Sequence, residues 1–249
     1  MSHEFWLEPS DYRPATGREI TVGLNLGDVF YQGIHAKRDN EDIVRFVANG
    51  PGGQIPVGGE VGDSPIGHVA LPAPGVYVLE FSDRNHFVEL EAPTFERYLA
   101  RKGLDNAIDA RKQRGETDKP GREAYCHSLK TIVVAGDPGL EIRDHALGLR
   151  LEVISESRLD ARRSNDVFSF KVLYEGAPLK GLLVTATRRN APMDRLFMRT
   201  DANGHVEFEL KDSDVWMIDT VYMIAAPSDL NAAWQSYWAS LTFELFPRQ

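Results

Sequence analysis

With 249 residues, 42% of them hydrophobic and 26% charged, the chain is long enough for one large or two ordinary globular domains, which excludes a disordered or fibrous protein. A formal charge of -9 at pH 7 argues against a nucleic-acid partner, because phosphate recognition needs a clustered basic surface. The lone cysteine, Cys126, excludes an intrachain disulfide or a cysteine-based metal or redox motif and reads as a small, half-buried apolar residue; no run approaches the roughly 20 apolar residues that cross a bilayer, so no membrane insertion is expected.

The chain opens on Met1-Ser2-His3, directly before the strand-like run Phe5-Trp6-Leu7. A terminal amine, a backbone amide and an imidazole this close together can close chelate rings around a square-planar cation, the geometry of Cu(II) or Ni(II). Ser2 and His3 are therefore candidate metal ligands, with a frayed, solvated terminus as the competing reading. Met1-Ser2 ahead of His3 also reads as a replacement start joined to a mature, exported sequence.

From Phe5 to Leu90 short period-2 apolar runs alternate with turn formers. Strands are predicted over Ile20 to Leu26, Ile43 to Ala48, His68 to Leu71, Val76 to Phe81 and Phe87 to Leu90, with an irregular connection from Gly50 to Gly67. Composition changes at Pro93-Thr94. Thr94 is placed to cap a helix whose Phe95, Tyr98 and Leu99 share a face, Gly103 stops it, and Leu104, Ala107, Ile108 and Arg111 carry a helical period on to Gly115. Beyond a charged loop, Tyr125, His127, Leu129, Thr131 and Val133 alternate with Cys126, Ser128, Lys130, Ile132 and Val134, a strand returning to the first sheet.

A second β region starts near Leu140. Seven strands are predicted: Leu147 to Ile154, Val167 to Tyr174, Leu182 to Arg188, Leu196 to Arg199, Val206 to Leu210, Trp216 to Ala225 and Tyr237 to Phe246. The fold class expected is mainly β, with two immunoglobulin-like or transthyretin-like sandwich domains joined by a short helical segment. The boundaries fall at 1–92 for the first sandwich, 93–139 for the helices and return strand, and 140–249 for the second sandwich.

Six segments carry a resemblance over nearly the whole chain. They are His3-Glu4-Phe5-Trp6-Leu7-Glu8-Pro9, Pro74-Gly75-Val76-Tyr77, Pro120-Gly121-Arg122-Glu123-Ala124-Tyr125, the Pro178-Leu179-Lys180-Gly181 corner, the Thr200-Asp201-Ala202-Asn203-Gly204 turn and Trp234-Gln235-Ser236-Tyr237-Trp238-Ala239-Ser240-Leu241-Thr242-Phe243. The combination resembles a bacterial family of exported proteins of unknown function that is similar to the NikM component of nickel uptake systems. The resemblance implies removal of a signal peptide just before His3, a periplasmic location, a role in nickel or cobalt acquisition and a metal held by the amino-terminal histidine. Tyr222 stands where a histidine is common in the family, a departure from its pattern.

The other histidines are His35, His68, His86, His127, His145 and His205. None pair at the i, i+4 spacing of a helical site, so a polyhistidine site must be assembled across distant segments. His86, in a polar turn beside Asp83 and Asn85 and at the end of a strand expected to approach the amino terminus, is the preferred partner of His3; His68 and His35 rank behind it. His127 reads as a satisfied structural histidine and His205 as a surface residue. No nucleophile elbow, phosphate loop or dinucleotide fingerprint is present, so no enzymatic activity is expected. The reading is a periplasmic protein that binds Ni(II) or Co(II), with Cu(II) also compatible, through His3, Ser2, His86, His68 or His35. Its partner would be an envelope metal transporter or outer-membrane receptor, and its binding should weaken in acid because ligands must lose protons. The alternatives are a metal-free envelope module recognising a protein or glycan surface and a copper histidine-brace oxidative protein.

Overall fold

The computed structural model describes residues 4–136, 141–160 and 167–245. The amino-terminal half supplies strands β1 (Glu4–Pro9), β2 (Glu19–Gly27), β3 (Ile34–His35), β4 (Ile43–Gly50), β5 (Gly53–Pro56), β6 (Gly67–Ala70), β7 (Gly75–Asp83) and β8 (His86–Leu90). Helices α1 (Ala92–Arg101) and α2 (Asp105–Arg114) follow, then the long strand β9 (Gly121–Ala135). The rest of the chain gives β10 (Leu151–Ser155), β11 (Val167–Tyr174), β12 (Ala177–Pro178), β13 (Leu183–Arg188), β14 (Ala191–Arg199), β15 (His205–Glu209), β16 (Val215–Ala225) and β17 (Trp234–Glu244).

These strands form a mainly β fold of sandwich-like sheets. A nine-stranded sheet runs β14-β13-β16-β17-β9-β7-β4-β5, with β8 also paired to β9, and takes strands from 1–92, 93–139 and 140–249 alike. All its pairings are antiparallel except the parallel join of β17 to β9, where Trp238 lies opposite His127. One four-stranded sheet (β1, β2, β3, β6) covers one face and another (β10, β11, β12, β15) covers the opposite face. The alternation of β9 explains how one strand serves both. Leu129 and Val133 enter the core shared with Leu7, Ile20 and Val22, whereas Cys126, Ile132 and Val134 enter the core shared with Val153, Phe168 and Phe170.

The local chemistry explains where predicted and observed elements part. Helix α1 begins at Ala92, not after Thr94, because Pro93 occupies the first turn, where its missing N–H costs nothing and its φ is already helical. Gly115 closes α2 as expected, in a left-handed conformation (φ 62°) that lets its own N–H and that of Glu116 satisfy the last helical carbonyls. The strand predicted from Leu147 starts only at Leu151, since the backbone N–H groups of Leu147, Gly148 and Leu149 bond to the Glu152 carboxylate. Strand β14 begins at Ala191, five residues before the predicted start, and forms an open sheet edge. Cys126 is buried rather than half-buried, and burial pushes its thiol up to about 11, which leaves it inert. Among the described residues no helix is long and apolar enough to cross a membrane.

Candidate functional site

The site arises where β7 gives way to β8. Both strands pair with β9, Ser82 opposite Ser128 and His86 opposite Tyr125. Three residues, Asp83, Arg84 and Asn85, thus face only two, Cys126 and His127. A bulge of this kind re-aims a side chain, and here it turns Asp83 back over β9. The Asp83 carboxylate accepts the backbone N–H of His127 at 2.6 Å through Oδ1, while Oδ2 lies 2.5 Å from His127 Nδ1 and 3.1 Å from His86 Nε2.

These three side chains can bring one ligand atom each to within 4.8 Å of one another, and they form the sole such group among the described residues. Asp83 and His127 are buried and His86 is half-buried. Burial by itself would raise the Asp83 carboxyl, but the hydrogen bonds from His127 and His86 outweigh it and hold the group below the usual carboxylate range. The same bond to Asp83 raises His86, against the opposing effect of burial and with help from the charges of Asp83 and Asp42.

An ionised carboxylate only accepts, so the proton on His127 sits on Nδ1, and in the neutral ring Nε2 carries a lone pair. That Nε2 atom is buried and has no hydrogen-bond partner among the described residues. A buried, unpartnered ring nitrogen whose other nitrogen is fixed by a carboxylate is the arrangement of a metal-binding histidine with its orienting partner. Two imidazoles oriented by a carboxylate suit zinc, copper, nickel or iron better than calcium or magnesium, which take all-oxygen shells.

Strand β1 closes the site from above. The Phe5 ring lies 3.9 Å from that of His127 and 6.0 Å from that of Trp238. The preceding residue, Glu4, is pinned by Lys102 at 3.0 Å, Arg195 at 3.0 Å and Arg101 at 3.2 Å. Burial would raise the Glu4 carboxyl, yet these cations, Lys102 foremost, hold it below its ordinary value. A cavity of about 200 Å³ opens beside the three candidate ligands, walled by Phe5, Leu24, Ile43, Ile66 and Phe81.

Of the residues nominated from sequence, Ser2 and His3 lie outside the described residues. His86 is in the group. His35 is not; its Nδ1 lies 2.5 Å from Asn25 Oδ1. His68 stands on β6 opposite Thr21, also outside the group. His127, read as a satisfied structural histidine, is satisfied at only one of its two nitrogens. Asp83 enters the sequence reading only as a neighbour of His86. The signal for His127 lay in the alternation of β9, which puts it on the same face as Tyr125; no signal in the sequence brings Asp83 to it across 44 residues.

A family profile described as a domain of unknown function, DUF4198, matches residues 1–224. The chain belongs to the DUF4198 family. No curated protein matches it. Among solved structures, this DUF4198 chain is similar to fibronectin(III)-like modules of Clostridium thermocellum CbhA, at 9% identity over 96% of this chain and 93% of that one, with a TM-score of 0.21. It is also similar to the D0-D1 domain of Intimin, at 12% identity over 97% of each chain, with a TM-score of 0.23.

Proposed function

We propose that the protein binds a divalent transition-metal ion at His127 and His86, with Asp83 fixing both rings, and that it does so without catalysing a reaction. The observation that carries this is the buried, unpartnered Nε2 of His127 behind a carboxylate-held Nδ1. The resemblance to NikM-like exported proteins favours Ni(II) or Co(II) as the ion. It also favours a periplasmic setting in which the metal passes to or from an envelope transporter or receptor.

Calorimetric titration of the wild-type protein with Ni(II), Co(II), Cu(II) and Zn(II) tests the reading. One ion per chain is expected. Asp83→Asn should weaken binding about 10- to 100-fold, the usual effect of losing a ligand's orienting partner, and His127→Ala should weaken it more. Wild-type affinity in His127→Ala, with the fold intact by circular dichroism, would place the metal elsewhere or nowhere.

A further inference from the structure

We infer that the cavity beside Asp83, His86 and His127 admits the metal together with a small bidentate organic chelator of the α-amino-acid class. The inference rests on the metal-binding reading and adds to it the chemistry of a second ligand. Transition ions take four or more donors, and a site left with open positions presents them to whatever space adjoins it. Here that space is about 200 Å³, whereas a water molecule occupies about 30 Å³ of liquid volume. The cavity is therefore several times larger than one completing water requires.

Its walls say what fills it. Phe5, Leu24, Ile43, Ile66 and Phe81 offer hydrocarbon, which orders water poorly and favours a carbon skeleton. The rim bears Lys37 and Arg38 as cations and Asp39 and Asp42 as anions. Arg38 is engaged, donating to the carbonyl of Ile66 at 2.7 Å. With two charges of each sign the rim selects no net charge, so discrimination falls to the apolar wall. An amino acid meets these terms: its amine and carboxylate close a five-membered chelate ring on the open face of the ion, and its side chain lies along Leu24 and Ile66. No bond is made or broken beyond metal coordination.

The test compares two amino acids that chelate through the same donors and differ only in apolar bulk. Ni(II) is titrated into the wild-type protein alone, with glycine, and with L-leucine. Leucine buries four carbons that glycine lacks against the apolar wall, so it should tighten the ternary complex at least about tenfold more than glycine. Ala36→Trp, which fills the cavity from a wall position away from the three candidate ligands, should erase the leucine advantage and leave binding of Ni(II) alone unchanged. Equal enhancement by glycine and leucine, or none by either, on a wild-type protein that does bind Ni(II) overturns this inference and leaves the metal-binding reading standing. Failure of the wild-type protein to bind any ion removes both. The wild-type comparison decides the matter even if Ala36→Trp does not fold.

Discussion

Lys130→Met is expected to lower the unfolding free energy by about 3–5 kcal/mol, the usual effect of deleting one partner of a buried ion pair. Lys130 is 1% exposed on β9. Its Nζ lies 2.8 Å from Asp144 Oδ1 and 3.2 Å from Glu152 Oε1, and it donates to the carbonyl of His145 at 3.2 Å. Without the ammonium, two carboxylates remain face to face in the interior with no cation between them. The damage spreads along the chain, because the same carboxylates organise residues 144–155: Glu152 accepts the N–H of Leu147 at 2.7 Å and of Gly148 at 3.1 Å, and Asp144 accepts that of Ser155 at 3.0 Å. Denaturant unfolding at pH 7 should show a lower midpoint with an unchanged slope. The double variant Lys130→Met with Glu152→Gln should recover part of the loss, since only one uncompensated charge then remains. A single-variant loss under about 1 kcal/mol would mean that water reaches these groups and that the cation does not organise the segment.

The same residues show where sequence reading reaches and where it stops. Alternation along β9 puts Lys130 on the face of Cys126, Ile132 and Val134, which is correct, and implies that its ammonium is buried. It cannot name Asp144 and Glu152 as partners, because those contacts depend on a loop folding back over the sheet. The mainly β character, both helices and most strands were legible because period-2 and period-3.6 patterns are local. The parallel pairing of β17 with β9 was not, since a parallel neighbour leaves no mark in either strand's own pattern. The candidate site divides likewise. His86 stands out through its neighbours in the chain, whereas His127 reads as structural because one histidine on a strand looks the same whether its second nitrogen is paired or orphaned.

Glu123 sits on the same face of β9 as Tyr125 and His127 and gives a pH signature separable from the metal site. It is 3% exposed, and its Oε1 accepts hydrogen bonds from Tyr98 Oη at 2.8 Å and from the Ser236 hydroxyl. Burial dominates these two bonds and pushes the carboxyl up to about 7. Since the folded value lies above the ordinary one of 4.5, the folded state holds its proton longer. The resulting stabilisation is fully present below the unfolded value and is lost as pH rises through about 7. A shift of that size corresponds to about 3 kcal/mol. Glu123→Gln keeps an acceptor for Tyr98 and Ser236 and removes the titration. Measured against wild type by denaturant unfolding at pH 4 and pH 8, the variant should gain about 3 kcal/mol of relative stability at the higher pH, and other titrating groups cancel in the difference. Parallel pH profiles for the two proteins would show that Glu123 is already ionised in the fold at neutral pH. Four residues of strand place Glu123 about 13 Å from His127, so the variant should bind metal as wild type does; a lost metal site together with the expected pH profile would instead extend the site along β9 to Glu123.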